Sequence, residues 1–195
     1  MGAPRPEPLD PGRPDYCARC ATRLVEEERG GRQRPVCPRC GWVYYARNAT
    51  GAALLLERDG RVLLVRRRHD PFQGWWMLPA GFVEYGERAE ETIIREAQEE
   101  VGLDIELDGL FGVYFGADDP RNVAHLIVYR VVAEGEPRAG DDAEEVAFFG
   151  PGELPAQIAF EAHRQALQDW ARGAKHAAAK RSTRSTTSSG CSSGM

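Results

Sequence analysis

No apolar run in this 195-residue chain approaches the ~20 residues needed to cross a bilayer, which argues against a membrane-spanning helix. The opening stretch, MGAPRPEPLDPGRPD, has no apolar core, so no secretory signal is visible, and its prolines mark residues 1–15 as disordered. Histidine is scarce, and nothing in the spacing of His69, His125 and His163 makes a ligand set. Acid is missing from residues 172–195, which carry five basic residues, while the residues before them hold 20 basic against 30 acidic. An acidic body argues against a protein that coats nucleic acid, so nucleic acid is not an expected partner. Residues 173–195, rich in Ser, Thr and Ala, read as a disordered basic tail, either a solubilising remnant or a weak tether to anionic surfaces. A cytoplasmic protein with no membrane partner is the expectation.

Cysteine is sparse but patterned. Cys17 and Cys20 form one C-x-x-C pair and Cys37 and Cys40 a second, sixteen residues apart, with Cys191 alone in the tail. Four thiolates so spaced suit a closed tetrahedral Zn²⁺ site, which is structural rather than catalytic. Two disulfides or a redox pair are the alternatives, disfavoured by the missing secretory signal and by the absence of a βαβ pattern around either pair. Residues 16–46 thus form a zinc ribbon too small to bury a core, so the metal would supply its folding energy. Arg19, Arg23, Arg32, Arg34 and Arg39 could touch phosphate, but Glu26, Glu27 and Glu28 dilute the patch, and a packing or homodimerisation module is the preferred reading.

The densest signal is GFVEYGERAEETIIREAQEEVGL at 81–103. A Gly-rich turn ends at Glu87, and a helix follows that places Glu96, Glu99 and Glu100 within about 100° of one face. Like charges at i,i+3 and i,i+4 cost about 0.2–0.5 kcal/mol per pair, so a helix that keeps three has use for a cation. A hard divalent ion, Mg²⁺ or Mn²⁺, accepts such oxygens and keeps positions for water and substrate phosphate. A solvated acidic face is the bland alternative. Ile93, Ile94, Ala97 and Val101 form the adjoining apolar stripe, Glu90 and Glu91 suit the positive helix start, and Gly102 is a natural C′ residue. Arg95, four residues after Glu91, could form a simple surface ion pair.

Gly81, Glu87, Arg95-Glu96, Glu99-Glu100 and Gly102-Leu103 match at every fixed position the signature of the Nudix hydrolases, which the chain resembles over roughly residues 48–172, with Ala97 the one soft match. That resemblance implies a Nudix α/β/α sandwich with a mixed sheet over residues 47–172, and Mg²⁺-dependent hydrolysis of a diphosphate bond in a nucleotide-derived small molecule. It implies Glu96, Glu99, Glu100 and the Gly81 carbonyl as metal ligands, Glu87 in support, and Glu99 also orienting the attacking water. It gives Arg95 the task of orienting a catalytic Glu. A general base in similar enzymes lies beyond the box, where Asp141, Asp142, Glu144 and Glu145 are candidates and Glu144 is preferred.

The remaining chain reads as strands at Ala52–Glu57 and Arg61–Arg67 joined by an Asp59-Gly60 hairpin turn, then Ile105–Phe115, Val123–Ala133 and Val146–Phe149, closed by an amphipathic helix at Ala159–Arg172. Arg66, Arg67 and Arg68 follow a strand and could neutralise substrate phosphate, Arg66 and Arg68 being preferred and on one face by alternation; Phe82 is a candidate for a stacked ring, Phe72, Trp75 and Tyr114 are weaker candidates, Trp76 reads as core and His163 as a packed or capping residue. A ribbon directly abutting a Nudix domain resembles the ADP-ribose and FAD pyrophosphatases. The Pro-rich segment of NADH pyrophosphatases has no counterpart in Leu103–Gly116. An NADH pyrophosphatase, a hydrolase of oxidised dNTPs, and a non-catalytic ADP-ribose sensor are the alternatives.

Overall fold

This computed structural model describes residues 12–140 and 142–185, those beyond Gly173 by backbone alone. After a two-stranded ribbon of β1 (Val25–Glu28) and β2 (Gln33–Val36) come β3 (Ala49–Arg58), β4 (Arg61–Arg67), β5 (Trp76–Met77) and β6 (Ala80–Phe82). Helix α1 (Ala89–Val101) leads to β7 (Glu106–Asp119), β8 (Asn122–Val132) and β9 (Ala143–Phe149), and α2 (Glu161–Ser185) ends the described chain. The Asp59-Gly60 hairpin forms as expected, with φ of 50° and 72° at its two residues.

The seven-stranded sheet has order β5-β4-β3-β8-β7, with β6 paired to β3 and β9 to β4. Only β3 and β8 run parallel among these pairings, so the sheet is mixed. Both faces of β3 and β4 are apolar, and alternation sorts them. Ala52, Leu54, Leu56, Leu63 and Val65 pack with Ile93, Ala97 and Val101 of α1. Ala53, Leu55, Val62 and Leu64 pack with Ala162, Ala166, Leu167 and Trp170 of α2. The result is the α/β/α sandwich that the pattern implied. No described helix is long and apolar enough to cross a membrane.

Several boundaries differ from the sequence reading. The segment at Pro79–Gly81 is not simply a turn, because β6 begins at Ala80 and pairs Gly81 with Ala52. Ile94 is 41% exposed, and Thr92 takes the buried place beside Ile93. Strand β7 runs on to Asp119, and β9 starts at Ala143 rather than Val146. Helix α2 continues to Ser185, so 173–185 is helical where a disordered tail was expected; Lys, Arg and an Ala triplet are good helix formers and no proline intervenes. Residues 1–11, Asp141, Cys191 and the rest of 186–195 lie outside the described residues.

Helix α1 is fixed at both ends. Glu91 accepts the Arg88 N–H at 2.9 Å, the reciprocal half of a capping box. At the other end Gly102 has φ 64° and its N–H donates to Gln98 C=O, an αL ending, while Leu103 N–H donates to Ala97 C=O. Beyond these, the carbonyls of Glu100 and Val101 accept from Gly140 and Arg138 at 2.9 Å each. A Cβ at Gly140 would overlap the Glu99 carbonyl, so only glycine lets the β8–β9 connection seat on the helix end. Truncating Leu54, fully buried against α1, to Ala is expected to cost about 2–5 kcal/mol, read as a lower urea midpoint at unchanged m-value.

Candidate active site

Arg95 gathers the acidic edge of α1. Its Nε donates to Glu87 Oε1 at 3.1 Å, and one terminal nitrogen donates to Glu96 Oε1 at 2.6 Å and Glu99 Oε2 at 3.0 Å. The other terminal nitrogen reaches Glu87 Oε2 at 3.3 Å and the Phe82 carbonyl at 3.4 Å. The surface pair with Glu91 is therefore not made, because Glu91 is engaged at the helix start. Arg95 thus spans from the box turn to the helix. Its hydrogen bond, with a second from the Glu84 N–H, pulls the Glu87 pKa down to about 2.

Glu96 and Glu100 sit deeper. Glu100 is 6% exposed, and its Oε2 accepts the Ala80 N–H at 2.9 Å. Burial, with Glu96 and Asp142 adding repulsion, pushes its pKa up to about 8; burial also raises that of Glu96 despite Arg95. A Cβ at Gly81 would overlap the Glu96 carboxylate, which would have to swing away to admit it. A buried and a half-buried carboxylate whose ionised forms repel one another are a donor set that a hard divalent cation fits, because such an ion takes one or two carboxylates and retains waters. Among the described residues, only the four cysteines bring three or more potential ligand atoms within 4.8 Å of one another. The glutamates are instead spread around Arg95.

Glu96, Glu100, Gly81, Phe82 and Arg95 line a cleft of about 370 Å³. Glu99 does not line it; it lies outside, on Arg95, with half its side chain exposed. Arg66 and Arg68 are likewise elsewhere. Arg66 is paired to Glu144 at 3.4 Å and Glu145 at 3.0 Å, and Arg68 donates to the Ala143 carbonyl at 2.9 Å. Alternation did place them on one face, but Arg67 takes the face shared with Leu63 and Val65, toward α1, and it is Arg67 that lines the cleft. Glu144, preferred as general base, is held by Arg66 outside the cleft, whereas Asp142 lines it, 3.7 Å from His69.

Arg67 donates to the carbonyls of Pro71 at 2.8 Å and His69 at 3.3 Å, and its guanidinium stacks 4.9 Å over the Phe160 ring. No carboxylate pairs with it among the described residues, and burial lowers its pKa. Opposite, the β7–β8 turn supplies Asp118, Asp119 and Arg121, and the start of α2 supplies Phe160 and His163. Sequence reasoning missed Asp118, Asp119, Arg121 and Phe160; the turn-forming run Asp118-Asp119-Pro120-Arg121 was the available signal. Phe72, Trp75 and Tyr114 are packing residues, Phe72 against Trp75 and Phe160, and Tyr114 hydrogen-bonded to Asp169. Trp76 packs edge-on to Phe149 in the α2-side core.

The ribbon brings Cys17, Cys20, Cys37 and Cys40 together, with sulfur separations of 3.5 Å for Cys17–Cys40 and Cys20–Cys37 and 3.7 Å for Cys20–Cys40. A disulfide needs about 2.05 Å, whereas tetrahedral thiolates about 2.3 Å from zinc lie roughly 3.8 Å apart. The two knuckles are matched: Ala21 and Gly41 have φ of 53° and 74°, and each donates its N–H to the carbonyl of Cys17 or Cys37 at 2.9 Å. Backbone N–H groups of Arg19 and Cys40 point at the sulfurs of Cys17 and Cys37, at 3.4 Å each. The set is compatible with a zinc ribbon.

A mixed sheet between two helices, with an arginine-tethered glutamate edge beside a cleft, is the architecture of a Nudix hydrolase. Residues 46–170 match the NUDIX domain, and the chain belongs to that family. It is 42% identical over 130 residues to an ADP-ribose pyrophosphatase of Methanocaldococcus jannaschii, covering 66% of this chain and 76% of that protein. It is 44% identical over 91 residues to the NAD-capped RNA hydrolase NudC of Chromobacterium violaceum, covering 46% of this chain but only 33% of that one. A crystal structure of a NUDIX hydrolase from Nitrosomonas europaea superposes with a TM-score of 0.71 at 27% identity, over 83% of this chain and 93% of the other.

The raised pKa of Glu100 has a direct consequence for stability. A carboxyl whose folded pKa exceeds its ordinary value favours folding while protonated, and that contribution declines as pH climbs from the ordinary value of 4.5 to about 8. Without added divalent metal, Glu100→Gln is therefore expected to melt close to wild type at pH 5 and above it at pH 8. Each kcal/mol regained corresponds to about 2–4 °C for a chain of this size. A gap that fails to widen with pH contradicts the buried-carboxylate account.

Proposed function

We propose that the protein hydrolyses the diphosphate bond of an ADP-ribose-type nucleoside diphosphate derivative, using Mg²⁺ or Mn²⁺, to give AMP and a phosphorylated remainder. With ADP-ribose, water adds to one phosphorus, the bridging oxygen leaves with the other, and the products are AMP and ribose 5-phosphate. The observation that carries the reading is the pair of mutually repelling carboxylates, the half-buried Glu96 and the buried Glu100, in one cleft with Arg67, which has no carboxylate partner among the described residues. The match to an ADP-ribose pyrophosphatase along most of that protein's length supports the substrate class.

Glu96 and Glu100, with the Gly81 carbonyl, would hold the divalent ion, whose chemistry is to neutralise phosphate oxygens and acidify bound water. Arg67 binds a phosphate oxygen, a geometry for which a preorganised guanidinium suits better than an ammonium. Arg95 keeps Glu96 and Glu87 oriented, and Glu99 acts through Arg95. Asp142, which lines the cleft two residues after Gly140, would accept a proton from the attacking water. Phe82, 43% exposed at the cleft wall, offers a ring for stacking. The ribbon cysteines would bind Zn²⁺ structurally.

A second reading, hydrolysis of an NADH-type dinucleotide, is favoured by the identity to NudC in the matched segment. Incubation of the protein and Mg²⁺ with ADP-ribose, NADH, FAD and oxidised dNTPs separates these. ADP-ribose is expected to turn over fastest, and Glu100→Gln to lower its turnover at least about a hundredfold. No cleavage of any member, or unchanged cleavage by Glu100→Gln, counts against the proposal; faster cleavage of NADH transfers it to the second reading.

The ribbon makes a separate forecast. Acid-denatured wild type is expected to release one Zn²⁺ per chain in a colorimetric chelator assay, and Cys37→Ser to release none. Metal retained by Cys37→Ser, or no metal in wild type, would sink the zinc assignment.

A further inference from the structure

Arg67 is held by groups that carry no charge. Its Nε donates to the Pro71 carbonyl at 2.8 Å, one terminal nitrogen to the His69 carbonyl at 3.3 Å and the other to the Met77 sulfur at 3.4 Å. A guanidinium has two N–H groups on each terminal nitrogen, so each keeps one for a ligand. The carboxylates of Glu100, Asp119 and Asp142 act on the cation only from a distance, and Arg121 repels it. The remaining support is the Phe160 ring, whose centroid lies 4.9 Å from the guanidinium carbon.

That ring is placed at a cost. Among the described residues, four that are not glycine have positive φ: Ala21 in a ribbon knuckle, Asp59 in the hairpin turn, and Phe72 and Phe160 at 63° and 57°. Left-handed backbone is uncommon for any residue with a Cβ and an outlier for a bulky one. Such outliers persist where their surroundings over-determine them, and they cluster at functional sites. The two phenylalanines touch edge to face, with ring centroids 5.0 Å apart, and Phe72 belongs to the loop whose carbonyls hold Arg67.

Phe160 is also the residue on which α2 starts, since its carbonyl accepts the Arg164 N–H at 3.2 Å. That position favours Ser, Thr, Asp, Asn or Gly. A phenyl ring cannot cap, and Asp118 of the β7–β8 turn does so instead, accepting the Glu161 N–H at 2.8 Å. The chain before it is pinned, with Ala159 N–H on the Trp76 carbonyl at 2.8 Å and Trp76 N–H on the Gln157 carbonyl at 3.0 Å. Backbone and capping preferences are both overridden at one residue, and its ring, partly buried, lines the cleft beneath Arg67. The start of a helix repels a guanidinium, whereas the negative face of a ring attracts one.

We propose that Phe160 is a positioning residue for phosphate binding: its ring, fixed by left-handed backbone at the start of α2, sets the plane of the Arg67 guanidinium so that the N–H groups left on the terminal nitrogens serve a phosphate of the substrate. The inference rests on the diphosphate reading above and assigns how the arginine of that reading is held. Carbonyls and a ring face orient the cation without neutralising it, whereas a carboxylate in their place would compete with the phosphate.

A double-mutant cycle tests this, read by calorimetric binding of the non-hydrolysable α,β-methylene analogue of ADP-ribose in the presence of Mg²⁺. Phe160→Leu is expected to weaken binding about tenfold, while Phe160→Tyr, which keeps the ring face, stays within about threefold of wild type. In an Arg67→Gln background, Phe160→Leu is expected to add less than about twofold, because the ring acts only through the guanidinium. Unchanged binding by Phe160→Leu overturns the proposal. So does a loss of equal size with and without Arg67, which marks a direct contact or a purely structural ring, and so does a Tyr variant as weak as the Leu variant. Should Phe160→Leu fail to fold, Phe160→Met takes its place in the cycle; failure of both to fold makes the ring structural and overturns the proposal as well. Wild type that does not bind the analogue refutes this inference and the diphosphate reading together. Binding that depends on Arg67 and Phe160 in a protein that cleaves no diphosphate upholds the positioning role and refutes the hydrolase reading alone.

Discussion

The close approach of α1 to β6 is the constraint on which the site depends. The Glu96 carboxylate lies directly over Gly81, and Ala80 gives its N–H to Glu100, so strand and helix share the same few ångströms. That contact buries Glu100 and half-buries Glu96, and the loss of solvation raises the pKa of both. The folded chain therefore holds electrostatic stress at one edge of one helix. Arg95 relieves part of it by binding Glu87, Glu96 and Glu99, while Glu100 has only a backbone donor. A cation would relieve the remainder. Stability given up at a functional edge and recovered on ligand binding is the expected signature of such a site.

The same helix organises the far side of the cleft through its other end. Its αL ending leaves the carbonyls of Glu100 and Val101 without helical donors, and the 138–140 segment supplies them. Asp142, two residues after the seated Gly140, reaches the rim of the cleft with its side chain 75% exposed. A helix-capping requirement thus brings a further carboxylate to the cleft. Glu144, two residues further on, enters β9 and is consumed by Arg66.

What could be read from the sequence follows from how local each feature is. Glu87, Arg95, Glu96 and Glu100 lie within fourteen residues on a turn and one helix, so spacing alone fixes their common edge. The Cys17–Cys40 ribbon is equally local, as four ligands on two matched knuckles need no distant partner. The buried strands β3 and β4 were legible as apolar runs, yet the runs do not say which face meets α1, and the choice between Arg67 and its neighbours turns on that. Glu99 lies outside the cleft for a related reason: its angular position on the helix is as read, but Arg95 draws its carboxylate outward. Asp118, Asp119, Arg121 and Phe160 enter the cleft only because α2 packs across Gly116, a contact some 45 residues apart in the chain.

The distribution of charge along the cleft is uneven. Asp118 is matched by Arg164 and Asp119 by Arg121, while Arg67, stacked on Phe160 at the start of α2, has no carboxylate partner among the described residues. Glu96 and Glu100 line the α1 side of the same cleft, and burial raises the pKa of both. A guanidinium and two carboxylates whose charged forms are disfavoured are, in one cleft, the complement of a phosphate group and of a cation. The box motif constrains the carboxylate side alone; the β7–β8 turn and the first turn of α2 lie outside it, and in a shared fold substrate choice rests on such elements.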